Sequence, residues 1–421
     1  MNLKKNDLKL YASPVAVITQ FLYLPGKDRI SNTVTRVAQM DEKEADNCFH
    51  KLIKDFEGRH RNLQEVFLKN FKKMEEQYGK PLVQFSHNKQ LLLGAFFTKE
   101  YSIQAAALFN PSIVPHPNQQ GLKPGEQRFV MSLRATGEGH ISSIVFQTGI
   151  VDDNANIVLD AGTGYFTCLQ QTSEDIADTN YDLDVLNGSP INEIVIFPNV
   201  KAESMGMEDA RFVQFKNGDE TCYYATYTAY DGKEIKTRLI ETRDFASFKI
   251  RSLSGKAIAD KGMALFPEKI NGKYAMVSRQ GGEKINIMFS EDLYNWEKFE
   301  VLMEPRYTWE LLQLGNCGSP VKTDKGWLLL THGVGAMRTY VISAILLDPD
   351  DPSQIIGRLD RPLIEANETE REGYVPNVVY TCGCLLHGNL LVIPYAVSDS
   401  ATGFASVILD ELLNELLIIN L

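Results

Sequence analysis

The chain lacks the features by which several classes of protein are recognised. None of its apolar runs approaches the roughly 18 residues that a membrane-spanning helix needs. Its 43 basic residues are outnumbered by 54 acidic ones, and the net charge of −11 argues against nucleic acid or an anionic membrane as the main partner. It contains neither an H-E-x-x-H zinc motif nor a glycine-rich phosphate loop. We therefore expect no metal and no cofactor.

Cysteine is also scarce and scattered. The six cysteines include one close pair, Cys382 and Cys384, and a single Cys-x-Cys without a second pair is a poor zinc signal. A chain of 421 residues, 44% of them apolar, can bury a large core and needs no disulfide scaffold. The apolar N-terminal run is interrupted by Asp7, Lys9 and Gln20, and no cleavage site of small residues follows it. We therefore predict an early strand rather than a signal peptide, and a cytoplasmic protein with reduced thiols.

Helical spacing of apolar residues is clear in one early segment. Residues 41–78 carry two such groups: Phe49, Leu52, Ile53 and Phe56, then Leu63, Val66, Phe67 and Phe71. This pattern predicts two amphipathic helices that are joined near Gly58, with Gly79 as the C-terminal stop. The segment DELLNELL predicts a further short helix near the C-terminus.

Between these helices the chain repeats itself. Short apolar or alternating runs are separated by Gly, Asp, Asn and Pro turns, which is typical of antiparallel strands. Five segments open with a short strand, a polar turn and a second strand; they start at Phe109, Met207, Leu265, Gly318 and Val375. From the second segment onwards, corresponding positions are 58, 53 and 56 residues apart. The first interval is longer, which leaves room for an insertion around residues 170–195.

Repeats of about 40 to 60 residues with about four strands each are typical of β-propellers. The sequence therefore predicts an all-β fold, a five-bladed β-propeller over residues 86–421. Residues 1–85 are predicted to form a strand and a helical extension that packs on the propeller. A pair of β-sandwiches is the alternative, but a sandwich has no reason to repeat its opening five times.

Polar residues occupy corresponding positions of the five units. The inner strands start at Asn110, Asp209, Pro267, Ser319 and Asn377, and the second strands end at Arg134, Tyr227, Arg279, His332 and Asp399. In a propeller these positions converge on one mouth of the central channel. A ring of Asp, Arg, His, Asn and Tyr is too polar for a packed core. It suits a small polar ligand such as a sugar.

The segment GMEDARF places Glu208 and Asp209 beside Arg211 where the second unit begins. Taken alone, such a cluster is most often the salt-bridged start of a strand. Its place in the predicted ring makes Asp209 a candidate for chemistry instead.

Seven segments in order carry a resemblance to a known family. They are NPSIV with RATGEGHIS, GMEDARF, MALFPEKINGKY, SRQGGEKINIMFS, WELLQLGNCGSP, LTHGVGAMR and EGYVPNVVY. Together they resemble glycoside hydrolase family 130, which contains β-mannoside phosphorylases and β-1,2-mannosidases on five-bladed propellers. The resemblance covers roughly residues 80 to 410. The N-terminal segment EGRHRNL also looks like that of a longer branch holding β-1,2-mannosidases.

The resemblance implies a role for each matching residue. Asp209 is the implied proton donor, which protonates the leaving oxygen through the 3-hydroxyl of the sugar while the reaction inverts the anomeric carbon. Such an acid needs its neighbouring cations, Arg211 among them, kept off it when it is protonated. The further substrate-binding candidates are Asn110, Arg134, His140, Glu208, Arg211, Arg279, His332, Arg338, Tyr374 and Asp399.

Two mechanisms remain open for the nucleophile. In a phosphorylase, Arg279, His332 and Arg338 would hold phosphate, which attacks directly. In a hydrolase, Glu283 or Glu310 would activate water, about 6.5–9.5 Å from the acid. Family phosphorylases tend to carry a histidine before the matching arginine and a proline after it, whereas this chain reads Ser-Arg-Gln. This departure favours hydrolysis of β-mannosides with β-1,2 as the expected linkage, and phosphorolysis is the alternative.

The third possibility is a propeller that only binds glycan or protein. A chain without an acid at position 209 would favour it, but Asp209 is present, which argues against pure binding. The expected partner is a small mannose-containing oligosaccharide, with inorganic phosphate as co-substrate if the enzyme is a phosphorylase. A homo-oligomer is plausible by the same resemblance.

Overall fold

The structure is a computed structural model that describes residues 1–82, 84–172, 180–185 and 188–418. Its helices are α1 (Lys27–Gln39), α2 (Glu42–Phe56), α3 (Leu63–Tyr78), α4 (His87–Phe96) and α5 (Leu409–Ile418). The first strands are β1 (Lys4–Tyr11), β2 (Val17–Phe21), β3 (Thr98–Ser102), β4 (Ala107–Pro115), β5 (Glu126–Thr136), β6 (Ser142–Asp152), β7 (Ile157–Leu159), β8 (Thr167–Cys168), β9 (Gln170–Gln171), β10 (Tyr181–Asp184), β11 (Ile194–Ile196), β12 (Gly206–Asn217), β13 (Glu220–Tyr230), β14 (Ile235–Thr242) and β15 (Ser247–Ser252). The remaining strands are β16 (Ala264–Leu265), β17 (Tyr274–Ser278), β18 (Ile285–Ser290), β19 (Glu300–Met303), β20 (Gln313–Asn316), β21 (Val321–Thr323), β22 (Gly326–Val334), β23 (Tyr340–Leu347), β24 (Ile355–Arg358), β25 (Val379–Tyr380), β26 (Leu385–His387), β27 (Leu390–Val397) and β28 (Ala401–Ile408).

The fold is mostly β, and its main elements are five antiparallel meanders of four strands. They are β4-β5-β6-β7, β12-β13-β14-β15, β16-β17-β18-β19, β20-β22-β23-β24 and β25-β27-β28-β1. Each includes strands of one of the five repeated segments, but Pro267 and Ser319 follow β16 and β20 and do not start an inner strand as predicted. The fifth meander takes its last strand from the N-terminus, since β1 pairs with β28. The predicted early strand therefore completes the last meander.

Apolar clusters join each meander to the next. Successive junctions contain Phe146 with Phe212, Leu239 with Met276, Ile287 with Trp327, Leu330 with Ile393, and Ala396 with Phe109. The last junction returns from the fifth meander to the first, as a closed ring of five would require. The five-bladed propeller itself stays a prediction.

Contact clustering divides the chain into two compact units. One contains Met1–Ala12, Gln104–Ala161 and Cys168–Leu421; the other contains Ser13–Ile103 and Gly162–Thr167. This division differs from the predicted boundary at residue 85 because β1 belongs to the sheet unit and the helical unit continues through β3. Short strands β8 to β11 occupy the predicted insertion, of which residues 173–179 and 186–187 lie outside the described part.

The helical unit confirms the two helices predicted for residues 41–78. The first, α2, ends at Phe56, and α3 ends at Gly79, whose φ of 76° gives the left-handed stop. Helices α1 and α4 and the pairing of β2 with β3 were not predicted. Helix α5 confirms the helix expected for DELLNELL in the sheet unit. None of the helices in the described ranges is long and apolar enough to span a membrane.

A β-bulge recurs where the first two meanders start. The register of β4 on β5 shifts between Phe109 and Ser112, and that of β12 on β13 shifts between Glu208 and Arg211. The bulges contain Asn110 and Asp209, with φ of 49° and 54°. Asn and Asp tolerate this left-handed conformation better than most residues because their short side chains bond locally. The bulge interrupts the alternation of the strand and so redirects these two polar side chains.

Candidate active site

The two bulged residues contact each other. The Asn110 Nδ2 donates to Asp209 Oδ1 at 2.6 Å, and Arg134 Nη1 lies 3.5 Å from the same oxygen. Asp209 is buried, and burial alone would favour its protonated form. The positive charges of Arg134, Arg211 and Lys261 outweigh burial and lower the pKa of Asp209 to about 2. The carboxyl of Asp209 is therefore ionised at neutral pH.

Arg211 is fully buried and directs its hydrogen bonds away from the Asp209 carboxylate. Its Nη1 donates to the backbone carbonyl of Asp209 at 2.9 Å and its Nε to the carbonyl of Cys317 at 2.8 Å. Its Nη2 donates to the Tyr380 hydroxyl at 2.7 Å. Arg211 thus connects the second, fourth and fifth meanders. Its charge nevertheless lowers the pKa of Asp209, so the expected separation of this cation from the acid stays a prediction.

The carboxylates of GMEDARF, Glu208 and Asp209, form ion pairs with Arg134 and not with Arg211. Arg134 Nη2 lies 2.8 Å from Glu208 Oε1, and Lys261 Nζ lies 3.9 Å from Glu208 Oε2. Arg134 also donates from Nε to the Ser142 hydroxyl at 2.9 Å and lies over the Phe109 ring. Arg134 is therefore held on three sides, with one guanidinium nitrogen directed at each carboxylate.

Arg279 and His332 form a second cluster of basic side chains. Arg279 Nη1 lies 3.2 Å from His332 Nε2, and Arg279 Nε donates to the Lys261 carbonyl at 3.2 Å. Two glycines make room for them: a Cβ on Gly315 would lie 2.4 Å from His332 Cε1, and one on Gly262 would lie 2.5 Å from Arg279 Nε. Burial, followed by the charges of Arg279 and Arg211, lowers the pKa of His332 well below its usual 6.5. Its imidazole is therefore neutral.

Asp399 is a second carboxyl group in the same electrostatic environment. It follows β27 with φ of 50°. Burial, and then the negative charge of Asp209, raise its pKa to about 6, although Arg134, Arg338 and Lys261 act in the opposite direction. Two neighbouring carboxyls therefore have pKa values that are pushed apart, which is an arrangement used for acid and base roles.

His140 and Arg338 occupy equivalent loops of the first and fourth meanders. Gly137 donates to the Ile141 carbonyl and Gly335 to the Thr339 carbonyl, both at 3.0 Å. Within these loops His140 and Arg338 have φ of 62° and 55°. Both side chains are exposed, and His140 Nδ1 lies 2.9 Å from the hydroxyl of the half-exposed Tyr374.

Neither candidate base has the contacts that water activation needs. Glu310 is fully buried: its Oε1 accepts from the backbone nitrogens of Arg306 and Tyr307 at 2.7 and 2.9 Å and pairs with Arg358. We assign it a structural role in holding this loop. Glu283 is exposed in the turn between β17 and β18, and only its backbone carbonyl has a described partner, Leu314. A catalytic role for either glutamate stays a prediction without support from these contacts.

Several residues at the site were not predicted. The charge of Lys261 lowers the pKa values of Asp209 and Asp399, and its Nζ lies near Glu208. The Tyr340 ring stacks on His332, with ring centroids 5.8 Å apart. The Tyr380 hydroxyl accepts a hydrogen bond from Arg211. No spacing signal marks these residues, although Lys261 stands just before the third repeated segment. Conversely, Tyr227 of the predicted ring is buried and bonds to Glu203 instead.

Sequence comparisons agree with the geometry. A family model, Glyco_hydro_130, described as β-1,4-mannooligosaccharide phosphorylase, matches residues 89–417. A 1,2-β-oligomannan phosphorylase of Thermoanaerobacter sp. (strain X514) is 33% identical over 227 residues, which cover 53% of this chain and 75% of the relative. A β-1,2-mannobiose phosphorylase of the same organism is 32% identical over 232 residues, which cover 53% and 74%.

Solved structures share the fold. The β-1,2-mannobiose phosphorylase of Listeria innocua in complex with β-1,2-mannobiose is 22% identical, with a TM-score of 0.52 over 75% of this chain and 93% of that one. A second structure comes from the same family of mannoside phosphorylases, which contains glycoside hydrolases that target β-1,2 mannosidic linkages in Candida mannan. It is 21% identical, with a TM-score of 0.54 over 73% of this chain and 86% of that one.

Proposed function

The chain belongs to glycoside hydrolase family 130, and we propose that it is a β-mannoside phosphorylase. In this proposal it cleaves β-1,2-linked mannosides with inorganic phosphate and releases mannose 1-phosphate. The sequence favoured hydrolysis because Ser278 and Gln280 flank Arg279. The curated relatives named above are phosphorylases of β-1,2-mannosides, so the alternative now comes first.

The contact between Arg279 and His332 is the observation that carries the proposal. Phosphate needs cations and hydrogen-bond donors without an adjacent carboxylate, because a carboxylate would repel it. Arg279 bonds to His332 and to the Lys261 carbonyl, and no glutamate forms an ion pair or hydrogen bond with either side chain within the described ranges. His332 is neutral and offers hydrogen bonds, so the second positive charge beside that of Arg279 comes from Lys261, whose charge also lowers the pKa of Asp209, in place of the predicted Arg338.

We propose the following bond changes. A phosphate oxygen forms a bond to the anomeric carbon as the bond from that carbon to the leaving oxygen breaks. Asp209 gives its proton to the leaving oxygen through the 3-hydroxyl of the mannosyl unit, and the proton lost by phosphate on ester formation restores it. Because neighbouring cations lower the pKa of Asp209 to about 2, binding of the sugar must favour protonation of this carboxyl by excluding water and by separating Arg134 from Oδ1.

Product analysis on β-1,2-mannobiose, with and without inorganic phosphate, tests this proposal. We expect mannose 1-phosphate only when phosphate is present. The variant R279M should lose phosphate-dependent turnover, whereas R243M, which changes an exposed arginine paired with Glu220, should retain it. Free mannose released at a rate independent of phosphate would refute phosphorolysis and support the hydrolase instead.

A further inference from the structure

The side chain of Gln280 has four hydrogen bonds next to the cluster of Arg279 and His332, the longest from its Nε2 to the Met288 sulfur at 3.9 Å. Its Oε1 accepts from the Ser278 hydroxyl and from Asn286 Nδ2, both at 2.8 Å. Its Nε2 donates to the Ala257 carbonyl at 2.7 Å. Both donors are buried, Ser278 at the end of β17 and Asn286 in β18. Gln280 therefore ties together the two strands that flank Arg279 and a third segment of the chain.

The backbone after Arg279 has little rigidity of its own. Gly281 and Gly282 follow with φ of 80° and 77°, and glycine loses more conformational freedom on folding than any other residue. The turn is closed by Gly282, which donates to the Arg279 carbonyl at 2.9 Å, and by Gly281, which donates to Asp260 Oδ2 at 2.7 Å. The Gln280 side chain adds the bonds that fix this turn to the sheet.

Arg279 depends on that fixed position. Its side chain passes between two glycines whose missing Cβ atoms would lie 3.0 Å from its Cδ at Gly315 and 2.5 Å from its Nε at Gly262. Since the guanidinium also meets His332 at 3.2 Å, a small shift of its backbone would break these contacts. Displacements of about 1 Å in a reacting site can cost up to about 100-fold in rate.

We propose that Gln280 is a positioning residue for phosphate, and that Ser278 acts through it. The Ser-Arg-Gln sequence, which departs from the pattern of family phosphorylases, thus holds the phosphate arginine by hydrogen bonds of its two neighbours. This inference rests on the proposed phosphorolysis. We expect Gln280 to affect the binding of phosphate and not that of the mannoside, because its hydrogen bonds join the strands that flank Arg279.

Steady-state kinetics with both substrates test the assignment. Q280M keeps the length of the side chain and removes its four hydrogen bonds. We expect the KM for phosphate to rise about tenfold, the effect of losing one or two hydrogen bonds. The KM for β-1,2-mannobiose should change less than twofold. The matched control is Q214M, which removes a partly buried glutamine bonded to Tyr223 outside the site. S278A should raise the phosphate KM less than Q280M, and the double variant should equal Q280M alone.

Three results would overturn the assignment. They are equal rises in both KM values, additive effects of S278A and Q280M, or a Q280M variant that only lowers the Tm. If the wild type does not use phosphate, the proposed function fails first. A crystal structure of Q280M then decides separately: the Arg279 guanidinium should leave hydrogen-bond distance of His332, and an unchanged position would refute the positioning role.

Discussion

Replacing Asp399 by Asn should change how stability depends on pH. The carboxyl of Asp399 has a pKa of about 6 in the folded protein, because of burial and the charge of Asp209, against about 3.9 in an unfolded chain. Between these values the folded protein holds a proton that the unfolded chain has released. The free energy of unfolding therefore falls as the pH rises through this window, and the loss is complete above about pH 6.

The magnitude follows from the difference between the two pKa values. A difference of about two units corresponds to about 3 kcal/mol. We expect about 1–3 kcal/mol, because Asp399 remains partly exposed and titrates together with Asp209. Asn cannot ionise, so D399N should exceed the wild type in the free energy of unfolding by this amount at about pH 7.5. The two proteins should converge near about pH 4.

Urea unfolding followed by tryptophan fluorescence measures this difference, since Trp296 and Trp327 are fully buried. The control is D324N, which changes an aspartate exposed in the turn before β22 and should show no such pH-dependent difference. A D399N variant that is less stable than the wild type at about pH 7.5, or a difference that is the same at every pH, would refute the reasoning.

Three further changes have distinct expected results. D209N should lower kcat by about 100- to 10,000-fold while the protein stays folded, measured as release of mannose 1-phosphate; a loss below tenfold would exclude Asp209 as the acid. E310Q leaves Arg358 buried without its carboxylate and should lower the free energy of unfolding in urea by about 3–5 kcal/mol. The phosphate KM of the folded protein should not change. A changed pH–rate profile with unaltered stability would indicate that Glu310 is a catalytic base instead. G315A places a methyl group 2.4 Å from His332 Cε1 and should abolish phosphate-dependent turnover by displacing the imidazole. An active variant with the wild-type phosphate KM would show that turnover does not need His332 in this position.

Local periodicity explains which helices were predictable. Helices α2 and α3 have apolar residues at helical spacing, and α3 also ends at a left-handed glycine, so their sequences identify them. Helix α1 contains the β-branched run Thr33, Val34 and Thr35, which favours strands, and its Gly26 cap offers no side-chain signal. Helix α4 carries three consecutive buried leucines, and a short apolar run without periodicity does not distinguish a helix from a strand.

The candidate site divides in the same way. The repeat placed Asn110, Asp209, Arg279, His332 and Asp399 at corresponding positions, and each of them contacts, or acts electrostatically on, another of this group. The repeat did not show whether Glu283 or Glu310 could serve as the base. The charge of Glu310 is compensated by Arg358, which lies 48 residues further along the chain. Lys261 was missed since its influence on Asp209 depends on distance in space and not on spacing in sequence.

The sequence by itself determined the five repeated units and their strand content, and it placed Asp209, Arg279 and His332 at corresponding positions of these units. It did so because strand alternation, turn chemistry and a fixed repeat length are local properties that need no knowledge of long-range contacts. Only the tertiary structure decided which carboxyl is ionised, which side chain contacts Arg279, and which arginine pairs with Glu310. Those outcomes depend on burial and on charges brought together from distant segments, and neither quantity is encoded in the spacing of residues along the chain.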